Sequence, residues 1–496
     1  MDRDRLSALD TAFLCLESPR APMHLGALAV FQSPRRIPSA RLRTILGDRI
    51  ARLPHLRQRV RPTLLPPGAA VWEEDRSFDL SRHLHLHQLP RGGRSTLATL
   101  AAELMAEPLD LRHPLWQLHV VRGLGGGRFA VLVKLHHAMA DGLRAVELSV
   151  GLLDGYGDAR PAPAATRADR TAAGPWPLWG AVRTTVAAAR RPDRLLAGLA
   201  RTALGLPHAI AQTAGTVGIA SSIVASARLG ALLSPMLDAA PGGLGPGGGS
   251  ANGRAAAPAI PDHTAVRSTT EDVTSTDRRL ALLRLDVGTV RQVRRRYGGT
   301  DNDVLLAVVA GALRDWLADQ GHQADSLNVR AFIPVSRRSR PDGPRRGNVL
   351  SGYLCDLPVR EGDAPARLRQ IRAAMDRHKA AGFASGPGAL PVLADRLPAV
   401  LHRVAGPLAR HGAPLLFDTM ITNVPIPSRP FTLAGAYLQE VYPIAPLARG
   451  QALGIALSAY QGRVHVGLHA DRQALPDLHR LADAVPAALA GLTGAV

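Results

Sequence analysis

Residues 131–142 read VLVKLHHAMADG. An apolar run with strand character ends in two adjacent histidines, and an Asp-Gly pair follows four and five residues after the second. If Val131 to Leu135 is a strand, His137 shares a face with Val131, Val133 and Leu135, and His136 lies on the opposite face. Two imidazoles on opposite faces cannot easily share one metal ion, and the sequence offers no obvious third and fourth ligand. Asp141-Gly142 has the form of a helix start. Two readings stay open at this point. In one, Asp141 is an N-cap and His137 a buried, satisfied histidine. In the other, a neutral imidazole at a strand end faces a cleft and takes a proton from a hydroxyl, with Asp141 fixing the loop or the ring.

Working outward, the first 160 residues mix helix and strand signals. Leu6 to Leu16, Ser39 to Leu53, Leu97 to Ala106 and Leu143 to Leu153 have helical spacing. Gly26 to Phe31, Leu118 to Val121 and Phe129 to Leu135 read as strands, the last two joined through Gly125-Gly126-Gly127. The alternation in 76–90 predicts a strand with an exposed face. It would carry His83, His85 and His87 on one side as a polar stripe, too poor in carboxylate or cysteine to complete a metal site. Glu73-Glu74-Asp75 reads as a solvated turn. After residue 275 the mixture resumes. Leu280 to Val287 and Val329 to Val335 are expected strands, and Asp301 to Ala318 and Arg367 to Lys379 expected helices. A hairpin is expected from Gln451 to Tyr460 and Arg463 to His469, around Gln461-Gly462. The predicted organisation is a first α/β domain over 1–160, a helical and Gly/Pro-rich connection over 161–275, and a second α/β domain over 276–496, with a cleft between the domains.

The chain has 496 residues, 46% of them hydrophobic, and a formal charge of +20. This is a globular composition. Two cysteines, Cys15 and Cys355, exclude a disulfide framework and a four-cysteine metal site, and suit a reducing compartment. The positive charge is almost all arginine; Lys134 and Lys379 are the only lysines. Too few aromatics interleave with the arginines for a nucleic-acid stacking platform, and no RRM-like or C₂H₂-like motif is present. The acidic start of MDRDRLSALDTAFLCLESP is not that of a signal peptide. The stretch 202–227 lacks charge but is too rich in Gly, Ser and Thr for a membrane span. Residues 181–206 form an expected basic helix, which could bridge the domains or lie on a membrane surface.

HHAMADG fits the HHxxxDG motif of coenzyme A-dependent acyltransferases. Around it, LSALDTAFLCLESPRAPMHLGALAVF, VWEEDRSFDLSRHLHLHQLP, EPLDLRHPLWQLHVV, TDNDVLLAVVAGALRDWL, FIPVSRR, GNVLSGY, TNVPIP and YPIAP resemble, in that order, the bacterial wax ester synthase/diacylglycerol acyltransferase family. The resemblance spans nearly the whole chain outside 160–275. It implies an α/β (α+β) fold of two chloramphenicol acetyltransferase-like domains with mixed sheets flanked by helices and a channel between them. It implies transfer of a long-chain acyl group from acyl-CoA to diacylglycerol or a long-chain alcohol, with acyl-CoA as co-substrate and no bound cofactor or metal. His137 would be the general base, His136 a positioning neighbour, Asp141 structural and paired with an arginine, and Gly142 the residue of the tight turn. Asn302 and Asp303 match the family's Asn-Asp pair and become candidate substrate-binding residues, Asn302 as an oxyanion donor. Pro114-Leu115-Trp116 matches a motif expected to pack. Ile426 and Gly454 depart from the family's usual glycine and asparagine, and are expected to reshape the channel without touching His137. Ser336 and Ser351 sit in no nucleophile elbow.

The expected partners are acyl-CoA and a lipid alcohol, with possible association to a membrane or lipid-droplet surface and no nucleic acid. The expected location is the cytoplasm. Two rivals stand beside this reading: a related transferase drawing on a carrier-protein thioester, and a catalytically silent lipid-binding homologue.

Overall fold

A computed structural model describes residues 5–63, 69–90, 92–155, 277–336, 350–381 and 417–494. The expected basic helix at 181–206 and the uncharged stretch 202–227 lie outside the described residues. The described residues all belong to one unit.

In chain order the first half holds α1 (Ala8–Leu16), β1 (His24–Gln32), α2 (Ser39–Ala51), β2 (Gln58–Pro62), β3 (Ala70–Glu74), β4 (Leu84–Gln88), α3 (Arg94–Ala106), β5 (Trp116–Arg122), β6 (Arg128–His136) and α4 (Gly142–Gly151). The second half holds β7 (Arg278–Asp286), α5 (Val287–Tyr297), α6 (Asp301–Asp319), β8 (Val329–Ser336), β9 (Leu350–Leu357), α7 (Ala364–Ala381), β10 (Thr419–Asn423), β11 (Thr432–Leu433), β12 (Ala436–Ile444), β13 (Leu453–Tyr460), β14 (Arg463–Asp471) and α8 (Leu478–Thr493).

The strands form two six-stranded mixed sheets and a β2–β3 hairpin. The first sheet runs β11-β12-β1-β6-β5-β4, and the second β7-β14-β13-β10-β8-β9. Strand β12, far along the chain, completes the first sheet by pairing antiparallel with β1, from Gly26 opposite Ile444 to Gln32 opposite Tyr437. The two faces of β6 follow the expected alternation. Val131, Val133 and Leu135 join one core with α2, Trp116 and α4. Ala130 and Leu132 join another under α3, which also takes in Leu280, Leu282, Tyr442 and Ile444 from the second half. A third core surrounds the long α6, which is buried without a break from Asp303 to Leu313.

Sequence signals fix several element ends. Ser7 and Asp10 close a capping box on α1, and Thr300 and Asp303 close one on α6. The Gln461-Gly462 hairpin has positive φ at both residues, 49° and 73°, the backbone of a tight two-residue turn.

Two expectations need correction. Residues 76–90 are not one strand. The Asp79 carboxylate accepts the Ser81 N–H and turns Leu80–Arg82 into a short 3₁₀ segment, so pairing begins only at Leu84. Asp75 is not solvated. It is buried, accepting hydrogen bonds from the Ser77 amide and hydroxyl, while Glu73 and Glu74 lie on β3.

Where β12 meets the second sheet, backbones come close together. A Cβ placed on Gly467 would lie 2.2 Å from the Pro443 carbonyl oxygen. No side-chain rotation relieves a clash with main chain. Gly467→Ala is therefore expected to cost about 1–3 kcal/mol or more, read as a lowered denaturation midpoint.

Candidate active site

β6 ends at His136, and the turn 137–140 leads into α4. Asp141 is the N-cap of that helix, its carboxylate accepting the Arg144 N–H at 2.8 Å. Asp141 is also fully buried. The turn is held from several sides. Leu115 O accepts the His136 N–H and Met23 O accepts the His137 N–H, at 2.9 and 2.8 Å. His55 Nε2 donates to Met139 O at 3.0 Å. The Pro114-Leu115-Trp116 motif thus serves packing: Leu115 and Trp116 are buried, and the Trp116 indole donates to Leu56 O at 2.6 Å.

The two motif histidines differ in their hydrogen bonds. Ala138 N–H donates to His136 Nδ1 at 3.0 Å, so Nδ1 is an acceptor. The proton must then sit on Nε2, which donates to Glu17 Oε2 at 3.1 Å. Both ring nitrogens of His136 are committed. The His137 ring stacks on Phe13, with centroids 3.9 Å apart and planes 19° off parallel. Burial pushes the His137 imidazole down to about 4, against the opposing pull of a contact with its own main chain and of the Asp141 charge. His137 is thereby kept neutral at neutral pH.

Glu17 was not legible as a site residue. It is 10% exposed and lies between His136 and His24, whose Nε2 is 3.4 Å from Glu17 Oε1. Burial alone would raise its carboxyl, but the hydrogen bonds and charges of His136 and His24 hold it at about 2. The sequence clue is the Glu-x₆-His spacing of LESPRAPMH, which only a reversed chain makes into a contact.

Gly142 faces the second half: a Cβ there would first meet Val424 Cγ2, 4.0 Å away. The neighbouring Asn423 side chain donates to Asn302 Oδ1 at 3.3 Å. The HHxxxDG turn, the TNVPIP segment and the start of α6 therefore converge. Asp303 is placed differently. Its carboxylate is buried and accepts the Thr300 N–H at 2.8 Å, which makes it a helix cap. Ile426 packs against the first core with no positive φ, and Gly454 lies in β13 opposite His469. Ser336 and Ser351 fall on β8 and β9.

Only part of the histidine stripe forms: His85 and His87 share a face of β4, and His83 does not join them. His83 precedes β4, donates from Nδ1 to Trp116 O at 2.8 Å and stacks against both Phe78 and Trp116. His87 and His119 touch at 3.1 Å, and His85 stacks on His119. Among the described residues no group of three or more His, Cys, Asp or Glu is arranged to hold a metal ion. An open cleft of about 520 Å³ lies elsewhere, between α3, β7 and α8. Among the described residues no helix is long and apolar enough to cross a membrane.

Comparison with known proteins gives the family. Residues 6–305 match the wax ester synthase/diacylglycerol acyltransferase catalytic domain, and residues 346–493 the WS/DGAT C-terminal domain. The chain belongs to the wax ester synthase/diacylglycerol acyltransferase family and is an acyltransferase. Two relatives in Mycobacterium tuberculosis, both named as diacylglycerol O-acyltransferases, are 30% and 32% identical to it. The first alignment covers 99% of this chain and 96% of the relative, the second 99% of each. The fold is also that of a wax ester synthase/diacylglycerol acyltransferase from Marinobacter aquaeolei VT8, with a TM-score of 0.62, 24% identity and 98% of each chain covered.

The buried histidines set a pH dependence of stability. Burial pushes His24, His137, His465 and His469 down to about 4 and His119 to about 3. Between the ordinary histidine value of about 6.5 and about 4, the unfolded chain binds more protons than the native one. Stability is therefore full above about 6.5 and falls as pH drops through this window. Below about 4.5 the depressed Glu17 carboxyl adds a loss of the same sign. Urea unfolding at pH 7.5, 6 and 5 is expected to show a monotonic fall in midpoint.

Proposed function

We propose that this chain transfers a long-chain acyl group from acyl-CoA to the hydroxyl of diacylglycerol, of a long-chain alcohol, or of both, with His137 as general base. The observation that carries the assignment of the base is the contrast between the two motif histidines. His136 spends one nitrogen on Ala138 and the other on Glu17. His137 is neutral and held by a ring stack.

The steps follow acyl-transfer chemistry. His137 removes the proton of the alcohol as its oxygen attacks the thioester carbonyl. A tetrahedral oxyanion forms and needs donors aimed at it. Asn302 fits that role, because its amide oxygen is taken by Asn423 and its NH₂ end supplies the donor. The C–S bond then breaks, CoA thiolate leaves, and the imidazolium returns the proton to sulfur. No acyl-enzyme is needed, and acyl-CoA is a co-substrate with no further cofactor. Asp141 supports the turn and adds a negative charge that favours the transient imidazolium. General-base catalysis supplies roughly 10²–10⁴-fold, and holding the two substrates together the larger share. Contact with a membrane or lipid-droplet surface from the cytoplasmic side belongs to this reading, because both acceptors are insoluble.

The test is product analysis with labelled palmitoyl-CoA, dioleoylglycerol and hexadecanol together, wild type beside His137→Ala. Triacylglycerol or wax ester from the wild type is expected, with a loss of about 10²–10⁴-fold in the variant. Equal product from both would remove His137 from the chemistry. No product from a folded wild type would turn attention to carrier-protein thioesters or to a silent lipid-binding role. The base should already be deprotonated at pH 5, so kcat/KM of the folded enzyme is expected to show no inflection near 6.5 between pH 6 and 8.

A further inference from the structure

The opening motif LSALDTAFLCLESPRAPMHLG has no part in the reaction as drawn above, yet it wraps the catalytic turn. Phe13 and Glu17 stand four residues apart, on one face at the end of α1. Phe13 stacks on His137, and Glu17 meets His136. The chain then reverses, with Ser18 and Ala21 exchanging main-chain hydrogen bonds. On the way back Met23 O takes the His137 N–H, and the His24 ring returns to the second Glu17 oxygen. His469 lies within electrostatic reach of His24 and donates to Ala445 O of the YPIAP segment at 2.7 Å.

A buried carboxylate is an expensive way to fill this space, and an apolar side chain of like volume is often neutral or stabilising. What the carboxylate alone provides is an acceptor in a fixed place. We infer that Glu17 is a positioning residue for acyl transfer, holding His136 in its Nε2–H tautomer and thereby setting where the 136–141 turn presents His137. The link is direct. With Nε2–H secured by Glu17, Nδ1 stays an acceptor for Ala138 N–H, the amide that follows His137. Without that acceptor the proton can move to Nδ1, and the Ala138 bond is lost. The inference rests on the reading of His137 as base.

The experiment compares Glu17→Met, which removes the acceptor at similar length, with Glu17→Gln, which keeps an amide oxygen. It measures kcat and KM for acyl-CoA and acceptor, and the imidazole ¹⁵N shifts of histidine-labelled protein, with His136 assigned by substitution. Glu17→Met is expected to lose roughly ten- to a hundredfold in kcat, with KM values within about twofold and the His136 Nε2–H signature gone. Glu17→Gln is expected to keep that signature and recover most of the rate. A Glu17→Met rate within about twofold of wild type, or a rate loss with the His136 tautomer unchanged, would overturn the inference. If Glu17→Met does not fold, Glu17→Ala, which also removes the acceptor, carries the same ¹⁵N and kcat measurements, an unchanged His136 tautomer counting against the inference. An active His137→Ala would sink the base assignment, while the ¹⁵N arm would still decide whether Glu17 governs His136.

Discussion

The pairing of β12 with β1 is the constraint on which the rest of the molecule depends. Without it β1 would be a sheet edge, with unpaired main-chain groups along His24–Gln32. With it, the chain that carries Met23 and His24 is clamped between β6 on one side and a strand from the second half on the other. The TNVPIP segment, which approaches the turn at Gly142, and the YPIAP segment both lie on the route that places β12. TNVPIP precedes it and YPIAP ends it. The close approach at Gly467 and Pro443 shows how tightly β12 is seated on the second sheet. The site is thus a product of the crossover, assembled from segments more than a hundred residues apart.

Around the turn, ordinary backbone hydrogen bonding does most of the positioning. His136 and His137 donate their amides to Leu115 and Met23, which belong to different segments. The Asp141 cap fixes where α4 starts. Within that frame the two imidazoles sit in different surroundings. A ring that accepts from Ala138 and donates to Glu17 has no nitrogen left for a substrate. The doubled histidine of the motif is therefore asymmetric, with both nitrogens of His136 committed to the protein and the His137 ring stacked on Phe13.

Local physics made much of this readable from the chain. The alternation along 131–135, the Asp-Gly helix start and the Gln461-Gly462 turn all depend on near neighbours in sequence, and all appear in the structure. The motif spacing pointed to the right family. What could not be read depends on distant contacts. Nothing local tells that 436–444 leaves the second half to join the first sheet. Nothing in LESPRAPMH says that its glutamate and histidine face one another, because the reversal between them is set by packing. Asp303 resembled a site residue through its motif, but the Thr300-x-x-Asp303 spacing is also that of a capping box, and the capping geometry prevails. The 76–90 stripe forms only in part because the Asp79 turn interrupts a pattern that periodicity treats as continuous.

Burial of His137 has a cost and a use. A base with its proton affinity lowered to about 4 is a weaker proton acceptor than free imidazole at neutral pH. In exchange the imidazole is held in the neutral form that the proposed role as base requires. In the proposed mechanism that deficit is met when the imidazolium forms, and its charge has to be stabilised where the ring is buried. Two groups already oppose the depression: the ring's contact with its own main chain, and the buried Asp141 carboxylate. In a low-dielectric surrounding such fixed partners act more strongly than they would in water. Their benefit is greatest in the protonated state that exists only during reaction. With His137 as the proposed base, such an arrangement would favour the transition state over the resting one, since the burial that weakens the base also strengthens the groups that stabilise its conjugate acid.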